Sequence, residues 1–424
     1  MVWKSNGSST QTRIAIVSMH TSPLEQPGTG DSGGMNVYIR AAAERLARQG
    51  VNIDVFTRRR GRGISEVEQL TPASRVINVM AGPRDPVPKQ DLPRLLPQFL
   101  GGLLRHVRMD GRGYDLVHSH YWLSGWVGRS AKEIWGVPLV ASFHTLGKVK
   151  NHSLAGGESP EPPERLASEV AVIENADRIV AATPAEAAQL VRLYRADPAR
   201  IRLIPPGVDH GLFFPRLKEQ AKARVHLAGV RLLLFAGRLQ AHKGPDIAIR
   251  ALAEASAREP AQMRDVVLGI VGGPSGTGNG AEVGRLIDLA LTLGVEDRVV
   301  FFPPQPQARL ADFYAAAECL LVPSRSESFG LAALEAQACA TPAVAAAVGG
   351  LRHVIADGVT GLLVEGHDPA DYAECVLQLL RDPEVAQRMG ESASARSLRF
   401  SWDATATEIL SVYRELLDSR VAAG

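Results

Sequence analysis

The feature that most restricts the fold is an alternation running the length of the chain, in which short apolar runs are each followed by a stretch with helical spacing of apolar residues. Parallel sheets demand this pattern, because each strand reaches the next through a crossover that covers one sheet face. The first half predicts strands at 13–19 (RIAIVSM), 51–57 (VNIDVFT), 75–80 (RVINVM), 114–119 (YDLVHS), 137–143 (VPLVASF), 177–183 (DRIVAAT) and 200–204 (RIRLI). Amphipathic segments such as NVYIRAAAERLARQG and RLASEVAVIENA lie between them. Prolines and glycines break the periodicity at 205–216, PPGVDHGLFFPR, which reads as a linker. The alternation restarts with strands at 231–237 (RLLLFAG), 265–272 (DVVLGIVG), 298–303 (RVVFFP), 319–324 (CLLVPS) and 341–347 (TPAVAAA). A chain of 424 residues exceeds what one core sustains, so two doubly wound α/β domains are expected, 1–205 and 206–400. The spacing of SWDATATEILSVYRELL (401–417) gives a helix but assigns it to neither domain.

Composition removes several classes of function. With 47 Lys and Arg against 45 Asp and Glu, the net charge of +2 gives no global pull toward nucleic acid or an anionic membrane. Cys319, Cys339 and Cys375 lie far apart without CxxC spacing and read as buried thiols in a reducing cytosol. The opening MVWKSNGSSTQTR lacks the apolar core of a signal peptide and no run approaches a membrane span, so a cytoplasmic protein without membrane insertion is expected. The first dozen residues and the closing RVAAG are expected to fray. RRRGR (58–62) reads as a solvated loop, and the Leu and Phe stripe of 91–108 as a helix packed on the sheet rather than on a membrane.

Residues 28–33, GTGDSG, satisfy G-x-G-x-x-G, and Asp54 stands further on, which raises a nicotinamide-binding reading. It fails on spacing. The fingerprint glycines should turn directly from strand to helix, yet HTSPLEQP (20–27) separates Met19 from Gly28. A long glycine loop ending at a helix start near Gly34 instead offers free backbone N–H groups to an anion. A merely flexible loop would account for the glycines but not for that position.

The second half sets Arg238 just past a strand and Lys243 before a helix, a planar fork and a point charge suited to a diphosphate. After CLLVPS comes RSESFGLAALEAQA, with Glu327 ahead of a helix start at Gly330 and Glu335 within the helix. Two carboxylates suggest a glycosidase acid/base pair. The phosphate-cradling surroundings fit better with carboxylates accepting hydrogen bonds from sugar hydroxyls, Glu327 on a transferred sugar and Glu335 on a ribose. The first half has its own polar set at strand ends and in loops, comprising His20, Lys89, Tyr121, His144, Thr145, Lys148 and Arg165. Several basic groups converging there suit a second, phosphorylated ligand.

Taken together, FAGR, HKG, VGGPSG, PSRSESFG and the E-x7-E spacing resemble the retaining GT-B glycosyltransferases of the glycogen-synthase-like and sucrose-synthase-like class, over essentially the whole chain. HTSPLEQPGTGDSGGMNVYIRAAAERLARQG, HSHYWLSGWVG and SFHTLGKVKN narrow the resemblance to the inositol-phosphate glycosyltransferases of mycothiol biosynthesis. The resemblance implies GT-B architecture, two facing Rossmann-like domains with the active site in the cleft, and a last helix, 401–424, that returns to the first domain. It implies transfer from UDP-GlcNAc to 1D-myo-inositol 3-phosphate with retention, by a homodimer that needs no cofactor for catalysis. Lys89, Tyr121, Thr145 and Arg165 would then hold the inositol phosphate, and His20, Asp31, Ser32, Gly33, Gly34, Met35 and Asn36 would line the inositol side. Gly34 would also give its N–H to the donor diphosphate, with Gln26 and Pro27 nearby. His144 would meet the donor sugar, and Arg238, Lys243, Glu327 and Glu335 would complete the donor site. Among these, Arg238, Lys243, Glu327 and His144 would be catalytic.

Gln305 stands where the resemblance leads one to expect an arginine in the uracil pocket. A structural Mg2+ is implied near Tyr314, Ala315, Ala317 and Thr341, which offer mostly carbonyl oxygens and no carboxylate, so a catalytic metal is not expected. Two alternatives remain: a related transferase with a sucrose-type or lipid acceptor, and a nucleotide-sugar binding module without activity. Lys89 and Arg165 separate the first of these, because a neutral acceptor does not need them.

Overall fold

The computed structural model describes residues 11–154, 156, 158–274 and 280–423. The fraying expected at the N-terminus falls mostly outside them, as does part of VGGPSG. The first sheet contains β1 (Arg13–Val17), β2 (Asn52–Arg58), β3 (Val67–Thr71), β4 (Ser74–Val79), β5 (Leu116–His120), β6 (Leu139–Ser142), β7 (Arg178–Ala181) and β8 (Ile201–Leu203). Their order is β3-β4-β2-β1-β5-β6-β7-β8, parallel except for β3. The second contains β9 (Arg231–Ala236), β10 (Val266–Val271), β11 (Val299–Phe302), β12 (Ala317–Val322), β13 (Ala343–Ala346) and β14 (Gly361–Val364), all parallel, in the order β11-β10-β9-β12-β13-β14.

Each sheet therefore reverses its winding once, beside β1 in the first and beside β9 in the second. Ligands of open α/β sheets bind where two crossovers diverge at the carboxyl ends of strands. The loops after β1, β9 and β12 occupy those positions, which is why the motifs they carry end up in the cleft.

Two strands are absent from the sequence expectation. β3 is an exposed edge whose VEQLT lacks an apolar run, and β14 is only four residues long. The helix Leu96–Asp110 buries Leu96, Phe99 and Leu103 against the first core, so its stripe faces the sheet. Arg58 departs from the solvated reading of RRRGR. It is buried, and its guanidinium donates to the Pro83 carbonyl at 2.6 Å. Cys319 and Cys339 are buried, Cys375 half-buried, and all three are free.

The helix Trp402–Ala423 packs Trp402, Ile409, Leu410 and Tyr413 into the core of the first sheet beside Ile14, Ile16 and Tyr38. The outgoing and returning chains run side by side between the lobes, where Val208 pairs with Ser401 and donates to the Phe400 carbonyl at 3.2 Å. A Cβ on Gly207 would lie 2.1 Å from the Trp402 nitrogen, so only glycine permits that crossing. No described helix is long and apolar enough to cross a membrane.

Candidate active site

The loop after β1 is tied down from within. Asn36 Nδ2 donates to Thr21 Oγ1 and to the Ser22 carbonyl, both at 2.6 Å, while Asn36 Oδ1 accepts from the Gly33 N–H at 2.9 Å. Ser32 Oγ sits 3.0 Å from Thr21 Oγ1. These bonds aim the start of the helix Gly34–Arg48 across the cleft at that of Leu331–Ala338. A Cβ on Gly34 would come within 3.1 Å of Leu331 Cδ1, and one on Gly33 within 3.5 Å of Arg238 Nε. Two positive helix ends thus face each other with a guanidinium beside them, a setting for an anion. Gly330, at φ +102°, supplies the left-handed turn that opens the second of these helices.

Lys243 Nζ donates to Glu327 Oε2 at 2.6 Å, an ion pair in which both side chains are half-buried. Desolvation pulls the Arg238 pKa down, opposed by Asp31 and Glu327. These groups form the wall between two chambers, both lined by Gly33, Gly34, Arg238, Lys243 and Glu327.

The first chamber, about 200 Å³, extends into the second lobe past Pro27, Pro304, Gln305 and Tyr314 to Glu335. Tyr314 Oη donates to Glu335 Oε2 at 3.0 Å and Gln307 Nε2 to Oε1 at 3.5 Å. Glu335 has no ion-pair partner among the described residues, and burial pushes its carboxyl up to about 7.

The second chamber, about 190 Å³, lies against the first lobe and holds His20, Lys89, Tyr121, His144 and Thr145. Lys89 Nζ lies 4.6 Å from the Tyr121 ring centroid and has no carboxylate partner among the described residues. Tyr121 Oη and His20 Nδ1 are buried without a hydrogen-bond partner there. Burial, then the charges of Lys89, Arg60 and Arg238, keeps His20 neutral. An unpaired cation beside unsatisfied polar atoms is what a polar, anionic ligand would complete.

Residues 32–212 match the family model described as Glycosyltransferase Family 4, and residues 218–396 that described as Glycosyl transferases group 1. The D-inositol 3-phosphate glycosyltransferase of Acidothermus cellulolyticus is 51% identical over 413 residues, covering 97% of this chain and 92% of that one. The D-inositol 3-phosphate glycosyltransferase 2 of Catenulispora acidiphila is also 51% identical, over 96% and 95%. The chain belongs to the D-inositol 3-phosphate glycosyltransferase family. Among solved structures, the sucrose-phosphate synthase of Thermosynechococcus elongatus superposes with a TM-score of 0.89 at 34% identity, over 96% of this chain and all of that one. Anabaena HepE in complex with UDP-glucose shares the fold, with a TM-score of 0.76 at 22% identity over 95% and 100%. The architecture is GT-B.

Most of the expected site of this glycosyltransferase converges on the two chambers, with informative exceptions. Asp31, Gly33, Gly34 and Met35 line the second chamber, but the polar atoms of Ser32 and Asn36 turn inward to hold the loop. Gln26 donates to the Pro304 carbonyl at 2.9 Å and so bridges the lobes. Arg165 is 2% exposed and heavily engaged, donating from Nε to Glu169 at 2.8 Å and from Nη2 to Thr145, with Nη1 paired to Glu161 at 2.8 Å. Its guanidinium carbon lies 4.9 Å from the Tyr121 ring centroid, so it supports Tyr121 and Thr145. Lys148 caps the Leu193 carbonyl and does not line the chamber.

One of the residues implied for a cation already has its carbonyl engaged. The Tyr314 carbonyl accepts from Thr341 Oγ1 at 2.6 Å and from the Ala317 N–H, which uses both its lone pairs. Among the described residues no three His, Cys, Asp or Glu side chains gather around a metal position.

Sequence reasoning missed Glu186 and Tyr38, which also line the second chamber. Glu186 is buried at the start of the helix Pro184–Tyr194, where Oε2 accepts from the Ala182 N–H at 2.7 Å, and burial pushes it up to about 7. Its T-x-x-E spacing from Thr183 is the sequence signature of a capping box, of which the structure keeps the Thr183 half, Oγ1 accepting from the Glu186 N–H at 3.1 Å; it indicates a helix start but not a chamber. Across the cleft, Ser328 Oγ donates to the His144 carbonyl, which joins the lobes beside Glu327.

Proposed function

We propose that the enzyme transfers N-acetylglucosamine from UDP-GlcNAc to 1D-myo-inositol 3-phosphate with retention at the anomeric carbon. The products are UDP and 1D-myo-inositol 2-acetamido-2-deoxy-α-D-glucopyranoside 3-phosphate, the first step of mycothiol biosynthesis. The observation that carries this reading is the shared wall of Arg238, Lys243 and Glu327 between one chamber ending in a buried carboxyl and another containing an unpaired lysine. UDP fits the first, with Glu335 accepting from the ribose and its diphosphate against Arg238, Lys243 and the two helix ends. The acceptor phosphate fits the second, at Lys89 and Tyr121, with Thr145 and Arg165 behind. On the resemblance, we place the enzyme in the cytoplasm as a homodimer.

As the bond from C1 to the β-phosphate oxygen breaks, negative charge grows on that phosphate, where Arg238 and Lys243 stabilise it. Loss of one such donor typically costs roughly 10² to 10³ in rate. Approach of the diphosphate draws Lys243 away from Glu327, leaving that carboxylate to accept from a hydroxyl of the transferred sugar. The acceptor oxygen attacks C1 from the face that UDP leaves, and its proton passes to the departing phosphate oxygen. Closure of the lobes excludes water, whose attack would waste the donor.

The test is UDP release from UDP-GlcNAc with 1D-myo-inositol 3-phosphate, with myo-inositol, and with neither, in wild type and Lys89→Ala. Release that requires the phosphorylated acceptor, together with an acceptor KM at least about 10-fold higher in the variant, is expected. Equal release with both inositols would overturn the acceptor assignment.

A further inference from the structure

His144 follows β6 and adopts φ +59°, a left-handed conformation that is strained for a residue with a Cβ. Its Nε2 lies 2.8 Å from Nδ1 of His120, the last residue of β5, and the two rings stack at 5.1 Å with 24° between their planes. His118, on the same sheet face by the two-residue period of the strand, places its ring 4.3 Å from that of His120. It is pinned at both nitrogens, Nδ1 2.7 Å from Tyr413 Oη of the returning helix and Nε2 2.9 Å from Ser142 Oγ. Tyr38 meets the rings of His120 and His144 at centroid distances of 5.6 and 5.2 Å.

Burial keeps all three imidazoles neutral. Two neutral rings that share an N···N contact place one proton in it, given by one ring and accepted by the other. The choice propagates. If His120 donates, His144 carries its own proton on Nδ1; if His144 donates, its Nδ1 is a bare acceptor. Because Nε2 is taken by His120, Nδ1 is the nitrogen His144 has left for the chamber. Stability does not call for this arrangement, since apolar rings of the same shape would fill the space at nearly equal free energy.

We infer that His120 is a positioning residue, whose hydrogen bond to His144 Nε2 fixes the tautomer His144 presents to the donor sugar, with His118, Ser142 and Tyr413 holding the stack in place. This rests on the reading of His144 as a donor-sugar contact. The tautomer decides whether a sugar hydroxyl meets a donor or an acceptor as charge develops at C1.

The experiment compares His120→Phe, which keeps an aromatic ring but removes the nitrogen, with His120→Asn, whose amide can occupy the position of Nδ1. For each, kcat and donor KM are measured, together with the 15N shifts of labelled histidine, which report the tautomer directly. We expect His120→Phe to lower kcat roughly 10- to 100-fold with donor KM within about threefold of wild type, less than a misplaced tautomer costs a general base. His120→Asn should recover most of that loss, with His144 in a single tautomer in wild type and His120→Asn but mixed in His120→Phe. A His120→Phe enzyme with wild-type kcat, or equal losses in both variants accompanied by a fall in Tm, would overturn the inference. His144→Ala separates the two levels: an inactive His144→Ala beside a fully active His120→Phe sinks only the role of His120. A fully active His144→Ala sinks the reading of His144 itself.

Discussion

Two glutamates, one in each lobe, are almost fully buried and face opposite tasks. Glu169 in the first lobe accepts from Arg165 Nε at 2.8 Å, from the Gly147 N–H at 3.0 Å to each oxygen, and from Tyr194 Oη. Both its oxygens are satisfied, a cation sits against it, and it does not line the chamber. Glu335 in the second lobe is buried at the wall of the first chamber with a tyrosine and a glutamine as partners. A carboxylate buried with its cation and a full set of donors fixes architecture, whereas one buried without a cation keeps capacity in reserve for a ligand. In the first lobe Glu169 follows the first principle and Arg165 is consumed in the building, while Glu186, at the wall of the second chamber, shares with Glu335 a burial that pushes it up to about 7. The chamber in the second lobe depends on the second principle.

The sharpest way to break that contrast is Glu169→Ala. It leaves the Arg165 guanidinium buried with Glu161 as its remaining carboxylate and strips partners from Gly147 and Tyr194. Removing one member of a buried pair costs about 3–5 kcal/mol, which urea unfolding of the first lobe should register as a clear fall in midpoint. UDP binding in the second lobe should survive at temperatures where the variant is folded. A loss below about 1 kcal/mol would mean that the pair is decorative, and the contrast with Glu335 would collapse.

Glu335→Gln probes the other side. The amide keeps the shape and loses the charge-assisted acceptor, so donor KM should rise roughly 10- to 100-fold, the cost of about 1.5–3 kcal/mol for a hydrogen bond to an ionised group. Acceptor KM should hold. An unchanged donor KM would remove Glu335 from the nucleotide.

How much of this was legible follows from the range of the interactions. Continuous apolar runs revealed most of the buried strands, because burial acts residue by residue. β3, exposed at an edge, lacked that signature, whereas β14, GLLV, carries a short apolar run that the sequence expectation omits. The motifs after β1, β9 and β12 reached the cleft because the topology fixes where strand ends lie. What the sequence could not reveal was the engagement of groups by partners distant in the chain. Arg165 and Glu169 stand four apart on one helix, a visible pairing, but Thr145 and Tyr121 come to Arg165 from other elements. Ser32 sits in the loop and Asn36 in the first turn of the helix that follows, yet the direction of their side chains depends on how the loop folds back on Thr21. The H-x-H of β5 places two histidines on one face. Their coupling to His144 depends on β6 lying next to β5 in the sheet.

The smallest effect, and the finest test of the contrast, is the pH dependence of the stability difference between wild type and Glu335→Gln. The Glu335 carboxyl lies at about 7 in the folded protein, above its ordinary value of 4.5, because burial disfavours the charge. Its proton is therefore bound more tightly by the folded chain. The stability this contributes is fully present below about pH 4.5 and is lost as pH rises to about 7. The buried histidines act in the opposite sense, since His118 and His144, at about 3 and about 4, lie below the ordinary 6.5 and so lose stability as pH falls beneath that value. Both proteins carry those histidines, as well as Glu186, so the difference in Tm cancels them. Wild type should gain on Glu335→Gln by about a few degrees between pH 7 and pH 5, with no further change above pH 7. A flat difference across that range would mean that Glu335 is already ionised in the folded state, held by a cation or by water, and that Glu335 and Glu169 follow the same rule.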